Sequence, residues 1–113
     1  MGTREVELRH EWGHFPLWDL ATGDDIDPAG LGLPPSVVER LEAWARRWES
    51  TFALDDPSHR RVEDFVIDDL GRDGARLWRA LLGLLPPAEV TVTYVHEDVR
   101  YRTPQELPVE WRW

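Results

Sequence analysis

Apolar and polar residues alternate at the start of the chain, with Val6, Leu8 and His10 on one side and Glu5, Glu7 and Arg9 on the other. This period-two pattern predicts a strand over residues 4–10 with one buried face and one charged, wet face. Patterning then stops from Trp12 to Pro35, where Gly13, Pro16, Gly23, Pro28, Gly30, Gly32, Pro34 and Pro35 punctuate a long connection. So long a stretch without regular structure often marks a functional segment. A helix is expected next. Ser36 and Glu39 have the spacing of a capping box, and Val37, Leu41, Trp44, Trp48 and Phe52 recur every three or four residues with Val38 and Ala45 beside them. Arg40, Glu42, Arg46, Arg47 and Glu49 occupy the remaining, solvated face.

Asp55-Asp56-Pro57 ends that helix and offers a second start, with Asp56 as cap and Pro57 at the first helical position. One long helix over 57–85 keeps Val66, Leu70, Gly74, Leu77 and Leu81 in phase across Gly71 and Gly74, with Val62 and Phe65 leading in; two shorter helices are the alternative. Gly74 is then a point of close approach to the indoles of the first helix. Pro86-Pro87 stops the helix, and Glu89–Val95 alternates as a strand. His96-Glu97-Asp98 reads as a turn into a second strand over 99–102. Leu107, Val109, Trp111 and Trp113 alternate as an edge strand carrying Pro108. The expected architecture is α+β, one domain over residues 1–113: a two-layer sandwich with a small sheet, two helices on one face, and the order β-α-α-β-β.

Charge narrows the functions. Twenty-two acids against thirteen basic residues, all of them Arg, give −9 at pH 7 in a chain of 113 residues. That field repels phosphate backbones and anionic lipid heads, which argues against nucleic acid and membrane partners, and it favours a basic protein partner. With no cysteine, disulfides, thiolate metal sites and cysteine nucleophiles are excluded. The N-terminal residues show no apolar signal region, and Leu81–Leu85, interrupted by Gly83, is too short to span a bilayer, so a cytoplasmic location is expected. The all-Arg usage with nine Pro and eight Gly suggests a high-GC bacterial source.

His10-Glu11-Trp12-Gly13-His14 matches the H-E-x-x-H signature of zinc peptidases, in which a helix sets both histidines on one face and the glutamate acts as base. Gly13 and Phe15-Pro16 argue against that helix, and the spacing of His59 or His96 as a third ligand is uninformative, so no metal or cofactor is expected. Trp12 and Trp18 bracket an aromatic loop that either caps the core or presents anchors to a partner. Asp19, Asp24, Asp25 and Asp27 lack the register of a calcium loop and read as a solvated edge or a patch for a cationic partner. Asp55-Asp56, Glu63-Asp64 and Asp68-Asp69 read as a solvated helix face, and Trp111-Arg112-Trp113 as a tail paired back onto the sheet edge. Neither a nucleophile–base arrangement nor a Gly-rich phosphate loop is visible.

The outline Trp12-Gly-His-Phe-Pro-Leu-Trp18, then Leu31-Gly-Leu-Pro34, then Leu41, Trp44 and Trp48 resembles small uncharacterised proteins of high-GC bacteria, over roughly the first half of the chain. The resemblance implies no catalytic residue. The leading expectation is a non-catalytic binding protein, an immunity or antitoxin-like inhibitor of a basic partner such as a secreted nuclease toxin. Asp19, Asp24, Asp25 and Asp27 would supply charge, and Trp12 and Trp18 anchors. Two alternatives stand beside it. One is a small hydrolase, using either zinc on His10, Glu11 and His14 or acid–base residues in a cleft between sheet and long loop. The other is a structural or regulatory subunit completed by homo-oligomerisation.

Overall fold

The structure, a computed structural model, describes residues 3–53, 56–60 and 63–112, with the backbone alone over 52–60. Strand β1 (Arg4–Leu8) leads into β2 (Leu17–Asp19) and β3 (Asp25–Ile26), followed by a short 3-10 turn at Pro28–Leu31. Helix α1 (Pro35–Glu49), the hairpin β4 (Phe52–Ala53) and β5 (Asp56–Arg60), and helix α2 (Asp64–Leu84) come next. Strands β6 (Val90–His96) and β7 (Val99–Tyr101) and two 3-10 turns close the chain.

The main sheet has the order β3-β2-β1-β6-β7, with β1 and β6 parallel at its centre and every other pair antiparallel. Register fixes which residues share a face. Leu8 opposes both Leu17 and Tyr94, Val6 opposes Val92, and Tyr94 opposes Tyr101, so all six point to the same side and are buried there. Both helices cover that side, and the main order is β-α-α-β-β in two layers. Three buried side-chain hydrogen bonds tie the layers: Trp44 Nε1 donates to the Leu70 carbonyl at 2.8 Å, Tyr94 Oη to the Gly71 carbonyl at 2.8 Å, and Trp78 Nε1 to the Val92 carbonyl at 2.9 Å.

Helix α2 runs unbroken through Gly71 and Gly74 because both glycines are contact points. A methyl at position 74 would lie 2.6 Å from Trp44 Cζ2 and 2.8 Å from Tyr94 Cζ, and one at 71 would lie 2.7 Å from Trp111 Cζ2 and 2.8 Å from His96 Cδ2. Gly74 is therefore where the helix approaches an indole of α1, and Gly71 seats the indole of the chain's last turn.

Several local expectations are corrected. Residues 56–60 are a strand instead of the start of α2, which begins at Asp64, so Asp56 and Pro57 cap nothing helical. Helix α1 ends at Glu49, before Phe52, and its N-cap is Pro34 with Pro35 in the first turn; Ser36 is not the cap. A proline already set at helical φ, with no N–H to satisfy, serves there without a capping side chain. The stretch 12–35 is not structureless: Leu17 and Trp18 add β2 to the open edge of β1, and Asp25–Ile26 adds β3. The tail is not an edge strand. Pro104 and Pro108 open two 3-10 turns, in which Leu107 and Trp111 are buried while Val109 is exposed. Trp113, Asp55 and Val62 lie outside the described residues.

Gly74→Ala and Gly71→Ala should each lower the free energy of unfolding by about 1–3 kcal/mol through overpacking. Gly83→Ala, whose methyl would meet nothing within 4 Å, should raise it by about 0.5–1 kcal/mol. Urea denaturation of the three variants measures both signs.

Candidate functional site

The face of the sheet turned away from the helices is not uniformly wet. Glu7, expected on a solvated face, is 0% exposed, because its carboxylate lies between two guanidiniums. Arg9 Nη1 reaches Oε1 at 3.2 Å and Arg100 Nη2 reaches Oε2 at 2.9 Å. A buried carboxylate is tolerated where it is paired in this way. Trp18 opposes Glu7 across β1 and β2 and so shares this face, with the Arg9 guanidinium 4.4 Å above its ring and the His14 ring 5.1 Å away. Its indole is 7% exposed. Trp18 is thus a floor for the loop that crosses it.

That loop, residues 11–15, is clamped by Asp25. The Asp25 carboxylate accepts from the Phe15 N–H at 2.9 Å and lies 3.4 Å from His14 Nδ1. Asp19 accepts from the N–H groups of Ala21 and Thr22 at 2.9 and 3.3 Å and pairs with Arg4 at 3.1 Å, which closes the turn into β3 with Gly23 at φ 78°. The Ala21 amide foremost, with Arg4 and Thr22, holds the Asp19 carboxyl below the usual carboxylate range against partial desolvation. The Phe15 amide, joined by His14, does the same for Asp25. Asp27 caps the following 3-10 turn by accepting from the Ala29 N–H at 3.0 Å. Asp24 stands exposed.

The six residues singled out from sequence therefore divide. Trp18, Asp19 and Asp25 shape the loop from beneath; Asp27 both caps and faces water; Asp24 and Trp12, the latter 36% exposed, face outward. Phe15, 38% exposed beside the Asp25 clamp, was missed as a candidate, although it sits in the same aromatic run. At the other end of the loop, Glu11 lines a cleft of about 310 Å3 with Arg9, Val95, Glu97 and Asp98, over His10 and Trp48. Glu97 and Asp98 form the two-residue turn between β6 and β7, both at positive φ (50° and 66°). The turn expected at 96–98 is therefore present, and Asp tolerates the conformation it needs.

The outward aromatic loop is therefore flanked by acids at both ends. The helices hold six arginines and seven acids, so the net charge of −9 lies almost wholly outside them. The zinc signature has no helix to carry it. Residues 11–14 form a turn with Gly13 at φ 75°. His10 stacks on Trp48 with ring centroids 4.5 Å apart, on the helix side, while His14 packs on Trp18 across the sheet. Among the described residues no group of three His, Asp or Glu could hold a metal ion, and the side chain of His59 lies outside them. No helix among the described residues is long and apolar enough to cross a membrane.

Residues 4–97, from the first residue of β1 into the β6–β7 turn, match the family model described as Serratia CdiI immunity protein-like. The chain belongs to that family. No curated protein matches it. The matched span includes the whole 9–34 connection and both helices and leaves out β7 and the 3-10 tail. Immunity proteins act by binding a toxin partner, which makes a protein surface the kind of target such a family has to meet.

Asp19 and Asp25 titrate below the ordinary carboxylate range in the folded state, so the stability they contribute is complete above about pH 5 and is lost as pH falls through their depressed values. The 14–25 loop should therefore loosen at acid pH before the core does. Hydrogen exchange at the Phe15, Ala21 and Thr22 amides, followed from pH 6 to pH 2 beside core amides, reads this, and Asp19→Asn with Asp25→Asn should flatten that early change.

Proposed function

We propose that this chain is an immunity protein that neutralises a basic protein toxin in the cytoplasm, and that it meets the toxin with the loop spanning residues 11–27. The observation that carries the reading is the family match over residues 4–97. The geometry favours this loop above other surfaces, because it sets two partly exposed rings, Trp12 and Phe15, between acids at either end. Aromatic anchors ringed by charge are the usual composition of a tight interface, with the rings supplying burial and the charges speeding encounter and rejecting wrong partners.

The residues take different parts in this proposal. Trp12 is the anchor, and Asp24 and Asp27 point charge outward. Trp18, Asp19 and Asp25 keep the loop in the shape that presents them, through the Arg9 stack, the Arg4 pair and the Phe15 clamp. A toxin whose active site is cationic would be blocked by acids placed at its mouth without any catalysis by the inhibitor.

Capture on the tagged chain from native-host lysate, with elution along a salt gradient, should yield a basic protein at near-equal stoichiometry. That protein should stop growth when expressed alone and be harmless when co-expressed with this chain. Asp24→Arg with Asp27→Arg should weaken the complex about tenfold at low salt, mainly through the association rate, and Trp12→Ala should weaken it through dissociation. Full protection with unchanged affinity in both variants would remove this loop as the interface.

A further inference from the structure

The helix layer has an outer face that neither the sheet nor the proposed toxin-binding loop uses. Between α1 and α2 lies a groove of about 290 Å3 floored by Trp44 and Leu77 and rimmed by Arg40, Arg47 and Arg76, with Asp73 the acid on its lining. Asp73 pairs with Arg47 at 2.5 Å and lies 3.5 Å from Arg76, so two of the three guanidiniums share the one carboxylate. On a chain of net charge −9 this is a local excess of positive charge around an apolar floor.

The complementary feature is on the same helix. Phe65, 68% exposed, is the most exposed large apolar side chain among the described residues, and it stands in the first turn of α2 with Asp64, Asp68 and Asp69 around it. Arg72, paired with Asp69 at 3.2 Å, lies just before the middle of α2, and Arg76 and Arg79 follow in its second half. The acid in the first turn agrees with the helix dipole, and the last turn carries no basic residue. The dipole explains neither an exposed phenyl ring among the acids nor an apolar floor among the arginines.

We propose that the outer face of the helix layer is a homodimer interface, in which the α2 helices of two copies pack antiparallel and the Phe65 patch of each meets the arginine-rimmed groove of the other. Because both patches sit on α2, a single twofold axis makes the two contacts at once, which is the closed, self-complementary arrangement most soluble oligomers use. The acidic first third of each helix then lies against the basic second half of its partner. A helix of 21 residues is about 31 Å long, and with α1 packed beside it at 8–10 Å the layer offers on the order of 500–600 Å2 per copy. That is the low end of stable interfaces, which sets the expected dissociation constant in the micromolar range. The toxin-facing loop stays clear, on the opposite layer.

Sedimentation velocity of the full chain from 1 to 200 µM reads the association. A reversible dimer of twice the 13.2 kDa chain mass, weakened by added salt, is expected. Phe65→Glu should weaken it by about tenfold or more. The decisive pair is Asp68→Arg with Asp69→Arg in one chain and Arg40→Glu with Arg76→Glu in another. Each should be monomeric alone, and an equimolar mixture should recover the dimer, since the exchanged charges face each other again; circular dichroism checks that both fold. A wild-type chain that stays monomeric at 200 µM, a dimer indifferent to Phe65→Glu, a mixture that fails to associate, or open-ended polymers in place of a dimer would each overturn the proposal. Covering of this face by the toxin alone would appear as a monomer that loses toxin affinity on Phe65→Glu.

Discussion

Three elements of this protein, α1, α2 and β6, meet where α2 has no side chain. At Gly74 the backbone of the helix comes close enough to the rings of Trp44 and Tyr94 that a methyl group would overlap both. Around that point Trp44 bonds the Leu70 carbonyl and Tyr94 bonds the Gly71 carbonyl, so α1 and the sheet both hold on to the main chain of α2. The rings contribute large buried areas, and their polar ends are satisfied by carbonyls that already serve the helix ladder. Burial also pushes the Tyr94 phenol far above its ordinary value, so it stays a neutral donor across the working pH range. One turn away, Gly71 seats Trp111 against His96, which anchors the C-terminal 3-10 turns to the same helix. The position of β1 and β6, and hence of every loop hung from them, follows from this contact.

Long-period patterns were legible in the chain and short-range ones less so. The indole spacing of Trp44 and Trp48, the in-phase run through Leu70, Gly74, Leu77 and Leu81, and the alternation of Val90, Val92 and Tyr94 all describe elements that bury a face, and burial imposes a period. The two- and three-residue strands β2 and β3 carry too few residues to show a period at all; they exist because β1 leaves an open edge that Leu17 and Trp18 can pair with. The proline-led tail alternated like a strand, yet Pro104 and Pro108 suit 3-10 starts, and Leu107 and Trp111 reach the core from there. Glu7 shows the limit most clearly. Its alternation assigned it correctly to the outer face, but nothing nearby in sequence announces that Arg100, brought by β7, would help to bury it.

The candidate site was legible in composition and not in role. Asp19, Asp24, Asp25 and Asp27 look alike as letters, and the structure distinguishes them by which main-chain N–H groups they accept from. Trp12 and Trp18, six residues apart, separate into an outward ring and a floor because β2 sets Trp18 on the outer face of the sheet while Trp12 stands in the turn that crosses it. An acid that bonds backbone amides keeps its charge at lower pH than a free one, so the loop that carries the protein's acidity is also held together by it. Nearly all of the net negative charge lies outside the helices, which leaves the helix layer close to neutral and able to bear a cationic groove.

The parallel pairing of β1 with β6 has a consequence for how the chain is made. Arg4 through Leu8 is synthesised first and finds its central partner only when Val90 through Tyr94 has emerged. Until then β1 can close only its antiparallel side, against β2, while its other edge and its apolar face stay open during translation. Contacts so distant in sequence raise the entropy to be overcome before the sheet is rewarded, so folding is slow relative to a helical protein of this size. Between the synthesis of Arg4 and that of Val90 the sheet has no centre, and truncated chains that lack β6 cannot build it at all.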